Sequence, residues 1–251
     1  MSRAGLRGQL AVLDLGFEPL GAVMGVGVYQ LYAPSTCAGV RPKAGSEPLI
    51  YPTYEASLSE IWTTVVGRLE AEAHKLGAHG VLGVSVSETR PTPPMYQLQV
   101  IGTAFHLPGQ RPLARPFLST LRTDEFVKLL AGGWVPRGLV WSVAAVHVHG
   151  WAANPMSQGS TFTNAEMAAP TAGVNLARRR LEHGIRERLQ ACGATGAVKS
   201  TIDLHRVGQA CGGGNGLLID GRMLATGIVH YRQPAAPVGA ARNLGAGARH
   251  A

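Results

Sequence analysis

The chain has 251 residues, 45% of them hydrophobic, and a net charge of +8. That length allows one large domain or two small ones, each able to bury a core. Charged residues make up only 15%, while there are 33 glycines and 16 prolines. This balance suits tightly packed sheets and subunit contacts better than a heavily solvated monomer.

The charge is lopsided. Residues 1–110 hold 7 Lys/Arg against 8 Asp/Glu, and residues 111–251 hold 16 against 7. A basic half is able to meet nucleic acid, an anionic membrane or an acidic partner. Here the basic residues are dispersed and carry no interleaved aromatic stripe, so nucleic acid is not an expected partner. Three cysteines, Cys37, Cys192 and Cys211, lack CxxC spacing. That argues against a disulfide framework and a structural zinc site, and it fits a reducing, cytoplasmic compartment. The apolar run behind Arg3 and Arg7 is broken by Asp14 and Glu18, a poor secretory leader. The uncharged stretches 19–40 and 138–156 are too rich in small and polar residues to read as membrane spans.

In chain order, residues 20–31 read as a valine-rich strand with glycines at 21, 25 and 27, followed by a loop over 32–55. Residues 56–76 turn helical. Leu58, Ile61, Val65, Leu69, Ala73 and Leu76 form one apolar stripe, Ser57 and Glu60 suit a capping box, and Gly77 suits the stop. Alternation over 82–87 predicts a half-buried strand, and residues 95–107 predict another. The segment 108–119 reads as a Pro- and Arg-rich linker, and 120–130 as a short helix with Thr123 as its N-cap.

A second pass follows. Residues 136–141 lie 117 positions after 19–24. Ala177, Leu181, Ile185, Leu189 and Cys192 each lie 116 after Ile61, Val65, Leu69, Ala73 and Leu76. Residues 150–173 are a polar loop between the two. Thr226-Gly227-Ile228 lies 125 after Ile101-Gly102-Thr103, so the last hairpin has grown, at the glycine run of 211–216. Internal periodicity sets the expected architecture: an α+β chain of two tandem β-α-β-β repeats, each a small antiparallel sheet packed on one long helix. The expected boundaries are 1–107, a linker over 108–119, 120–232, and a disordered tail over 233–251.

The strand of 20–30, the helix end LGAHGVLGVSV and the strand end QVIGTAF resemble the YbjQ-like heavy-metal-binding family. The second half departs from those motifs, with CGATGA and ATGI. The resemblance implies a dodecin-like subunit of the kind that closes into pentameric rings. A two-domain chain cannot fill a single five-membered ring with both domains, so the implied homo-oligomer is two stacked rings.

Candidate sites are few. His147 and His149 lie two apart in an expected strand, so both project from one face and suit a transition metal. His205, His230, Cys192 and Cys211 add metal-capable groups to the second half. Arg178, Arg179 and Arg180 with Arg186 and Arg188 form the densest basic run, of which Arg178, Arg179, Arg180 and Arg186 are the candidate polyanion residues, with Glu182 spaced to pair with Arg178 and Arg186. The glycine run lacks a GK[ST] ending, and no GxSxG or HExxH occurs, so no nucleophile or acid–base pair stands out. The expected function is a non-enzymatic oligomeric scaffold or binding protein, with no cofactor beyond a candidate transition metal. The alternative is a metal- or small-ligand-binding protein that uses His147 and His149 or the space between subunits.

Overall fold

A computed structural model describes residues 12–31, 47–91, 94–111, 113–149, 166–211 and 214–231. The expected tail and most of the loops over 32–55 and 150–173 lie outside the described residues. The strands are β1 (Glu18–Gln30), β2 (Leu49–Ile50), β3 (Gly80–Thr89), β4 (Met95–His106), β5 (Phe117–Leu118), β6 (Trp134–His149), β7 (Gly196–Cys211) and β8 (Gly214–His230). The helices are α1 (Pro52–Lys75), α2 (Thr123–Ala131) and α3 (Ala168–Ala191). Two four-stranded sheets form, with orders β1-β4-β3-β5 (sheet A) and β2-β6-β8-β7 (sheet B).

The helical stripes settle where the helices lie. Leu58, Ile61, Val65, Leu69 and Ala73 of α1 are all buried, as are Ala177, Leu181 and Ile185 of α3. Burying each large aliphatic side chain stabilises the fold by about 1.5–3 kcal/mol. Pro52 at the first turn gives up no helical hydrogen bond, so α1 starts four residues before the expected 56. Ser57 lies inside the helix and donates to the Thr53 carbonyl, so the expected capping box is not where this helix starts. Gly77 and Gly193 take φ values of 71° and 69° just past the two long helices, the left-handed stop. α1 lies so close to β1 that a Cβ at Gly25 would collide with the Val65 carbonyl.

The layers follow from which residues share a core. Val23, Leu98, Val100 and Ala104 of sheet A join α1 in one cluster. Trp141, Val143, Ala145, Leu218 and Leu224 of sheet B belong to that same cluster. The opposite face of sheet B, with Ala144, Val146, Val148 and Ile219, packs on Ala177 and Leu181 of α3. The stack therefore runs sheet A, α1, sheet B, α3.

This corrects the expected fold class. The chain is not two tandem dodecin-like β-α-β-β repeats, each a small antiparallel sheet on one long helix. Strand outweighs helix, and a third helix, α2, is present. Sheet A is mixed, because β5 runs parallel to β3. Sheet B takes β2, which comes from the first half of the chain, beside β6. The main core draws on both halves, with Trp62 and Trp141 in contact at 5.5 Å between ring centroids.

One local expectation also changes, and one holds. The short helix starts at Thr123, with Arg122 rather than Thr123 as its N-cap. The strands around the glycine run keep pairing as far as Cys211↔Gly214, which is the enlarged hairpin that the spacing predicts.

Candidate functional site

Sheet A has one face covered by α1, while its other face is covered by α2 only at the Leu82 and Phe105 end and is open along β1. Val23, Gly25 and Gly27 of β1 are buried on the α1 side, whereas Met24, Val26 and Val28 point out, with exposures of 41%, 37% and 59%. The register extends this face across the sheet. Met24 opposes Ile101, Val26 opposes Gln99 and Val28 opposes Gln97. Beyond them lie Ser85, Ser87 and Thr89 of β3. None of these outward side chains is charged. An uncharged face with an apolar strand along its rim marks an interaction surface.

The free edge of β1 is a different matter. The backbone N–H of Met24 donates to Glu72 Oε2 at 2.5 Å, and Arg68 Nη1 donates to the Val26 carbonyl at 2.6 Å. Two α1 side chains thus occupy the backbone groups that another strand would use. The face is open while the edge is partly closed.

Between the halves lies a cluster of ionised groups. Arg90 pairs with Glu88 and with Asp220, each at 2.8 Å. Arg222 pairs with Glu88 at 2.6 Å and Asp203 at 3.1 Å. Tyr54 donates to Asp220 Oδ2 at 3.1 Å. Burial pushes the Asp220 carboxyl above its usual range against the pull of Arg90. Burial, and then Asp220, push the Tyr54 phenol up as well. Apart from Asp220 Oδ1, which is buried without a hydrogen-bond partner, these groups pair with one another across the seam, which suits a joint between the halves better than a reacting centre.

The residues singled out in the sequence fall as follows. His147 is buried and His149 is half-buried, with ring centroids 6.2 Å apart. β2 lies alongside, with Leu49 opposite His147. Among the described residues, no group of three or more His, Cys, Asp or Glu is placed to hold a metal ion. His205 and His230 are not brought together: His205 opposes Asp220, while His230 opposes Trp134 at the far end of β8. Cys192 donates its thiol to the Leu189 carbonyl. His79 accepts from the Leu107 N–H at Nδ1 and donates from Nε2 to the Arg111 carbonyl, so it clamps the segment after β4.

On α3, Arg178 pairs with Glu182 at 2.9 Å and Arg186 with the same carboxylate at 3.8 Å. Arg180 leaves the cluster and pairs with Glu55 of α1 at 2.9 Å. Arg188, absent from the candidate set, stacks over Trp141 with its guanidinium 3.5 Å from the ring centroid. Sequence reasoning also passed over the open face of sheet A. The signal was there: β1 is apolar at both alternating sets of positions, as in a strand covered on both sides.

No family model matches the sequence. The chain is similar to the encapsulin nanocompartment protein Rv1762c of Mycobacterium tuberculosis (strain ATCC 25618 / H37Rv). The two are 31% identical over 192 residues, which cover 73% of this chain and 70% of that protein. This overturns the resemblance to the YbjQ-like heavy-metal-binding family and the dodecin-like subunit it implied. The short apolar motifs that carried it describe a helix stop leading into a buried strand, and a longer, independent similarity points elsewhere. At this identity and coverage, the chain belongs to the same family as the encapsulin nanocompartment protein Rv1762c.

Proposed function

We propose that this protein is a non-enzymatic scaffold that assembles with further copies of itself through the open face of sheet A. The observation that carries the reading is that face: Met24, Val26, Val28 and Ile101 exposed together in an uncharged surface. Sheet B has α1 on one face and α3 on the other, whereas the second face of sheet A is covered only at one end, where Leu82 and Phe105 pack with Phe126 of α2. Covering the second face of sheet A would give it the burial that sheet B already has. The guarded edge of β1 directs contact to the face rather than to strand addition. The relationship to a nanocompartment protein supports assembly as the role. No helix among the described residues is long and apolar enough to cross a membrane. We place the protein in the cytoplasm, consistent with its cysteine usage.

The test is a pair of charge substitutions on the face, Met24→Lys and Val26→Lys. Both positions are exposed, so the fold is expected to survive, as judged by circular dichroism. Light scattering coupled to gel filtration should show a multimer for the natural sequence and a smaller species for the double variant. A multimer of unchanged mass in the variant would refute this surface.

A further inference from the structure

A cavity of about 320 Å³ opens where sheet A meets the edge of sheet B. Two β-bulges face it. In β3 the register shifts between Leu82 and Ser85, with Gly83 at φ 65°. In β7 it shifts between Val198 and Thr201, and Lys199 sits at φ 52°. Lys199 is the one non-glycine residue with positive φ among the described residues. Paired irregularities of this kind re-aim side chains and hold strands apart, and they gather at binding sites.

The lining is chemically mixed in a specific way. Leu82, Phe105 and Leu224 provide apolar wall. Each cation at the cavity already has a carboxylate. Arg222 has Glu88 and Asp203, Lys199 has Glu125 at 2.6 Å, and Arg122 has Asp124 at 3.3 Å and Glu125 at 3.6 Å. What lacks a partner is a hydroxyl. Thr123 is 2% exposed, lines the cavity at the first residue of the nine-residue α2, and its Oγ1 has no hydrogen-bond partner among the described residues. The neighbouring Thr120 hydroxyl, by contrast, is bonded to Thr226 at 2.8 Å. A buried hydroxyl without a partner is costly, and a ligand oxygen or N–H that meets it recovers that cost.

We infer that this cavity is a binding site for a small uncharged molecule with an apolar body and one hydroxyl or carbonyl group that engages Thr123. The volume is within the range of small-molecule sites. The internal pairing of the cations removes the advantage an anion would otherwise have. The site adjoins the assembly face, with Ser85 at their border, and it is tested by ligand binding rather than by assembly.

The test uses a matched pair of probes, 3-phenyl-1-propanol and 3-phenylpropionate, which share a body and differ in charge. Binding to the full chain is followed by calorimetry or by NMR shifts. The alcohol should bind saturably, and the carboxylate should bind at least tenfold more weakly. Thr123→Val keeps the shape but removes the hydroxyl, and should weaken the alcohol about fivefold to tenfold, the worth of one hydrogen bond. Thr201→Trp fills the cavity and should abolish binding while the circular dichroism spectrum is kept. The inference is overturned if the natural sequence binds neither probe, if the carboxylate binds as well as the alcohol, or if a folded Trp variant binds as before.

Discussion

Replacing Trp141 by alanine tests whether the two halves share one core. Trp141 is 4% exposed in the middle of β6, and Trp62 of α1, its partner across the seam, is 1% exposed. Their rings are 5.5 Å apart at a tilt of 32°, and the Arg188 guanidinium covers Trp141 at 3.5 Å. Truncating a buried tryptophan costs about 3–5 kcal/mol in lost transfer energy and residual cavity. The ring pair and the cation–π contact belong to the same side chain, and each is worth about 0.5–1.5 kcal/mol or somewhat more. These terms overlap, so the expected loss is about 4 kcal/mol. That is a large share of the roughly 5–15 kcal/mol by which such chains are stable. Guanidinium unfolding, followed by far-ultraviolet circular dichroism and by fluorescence of the remaining tryptophans, measures it. The midpoint should fall sharply, with both probes moving together in a single transition. A loss below about 1 kcal/mol, or a variant in which one half unfolds while the other stays intact, would refute the shared core.

Other expectations follow from single contacts. Gly25→Val would drive a side chain into the Val65 carbonyl, because α1 sits directly on β1 there. The expected cost is about 1–3 kcal/mol or more, read as a lowered thermal midpoint. Glu125 should give the chain a pH dependence that Glu125→Gln lacks. Partial burial pushes its carboxyl up, but the Lys199 hydrogen bond and the Arg122 backbone N–H outweigh that and hold it below its ordinary 4.5. A carboxyl lowered in the folded state stabilises at pH above its unfolded value and loses that contribution as pH falls through the folded one. Denaturation curves of the two proteins should therefore differ at pH 7 and converge in acid. A difference that does not change with pH would contradict the Lys199–Glu125 pairing.

The sequence made the long elements legible and concealed their arrangement. The spacing of Leu58, Ile61, Val65, Leu69 and Ala73 located α1 and its buried stripe, because periodicity reports directly on which face is apolar. Gly77 and Gly193 marked the helix ends through their need for left-handed φ. The same local character explains the mistaken family resemblance. LGAHGVLGVSV encodes a helix stop and a buried strand, and many unrelated chains need that geometry. The pairing of β2 with β6, the parallel β5, and the second face of α1 carrying Tyr54 and Trp62 are long-range facts that no spacing encodes. The candidate sites fared unevenly for the same reason. Two positions apart in a strand puts His147 and His149 near each other, yet nothing local shows that β2 lies beside His147. The unpartnered Thr123 hydroxyl and the left-handed Lys199 are visible only once sheet A, α2 and β7 have come together.

The central claim is that the open face of sheet A joins copies of this chain, and the mass of the assembly in solution tests it most directly. Sedimentation or native mass spectrometry of the full chain should give a defined multiple of the single-chain mass. The Met24→Lys, Val26→Lys double variant should give a smaller one with the fold retained. A natural chain that stays a single copy at micromolar concentration would contradict the account.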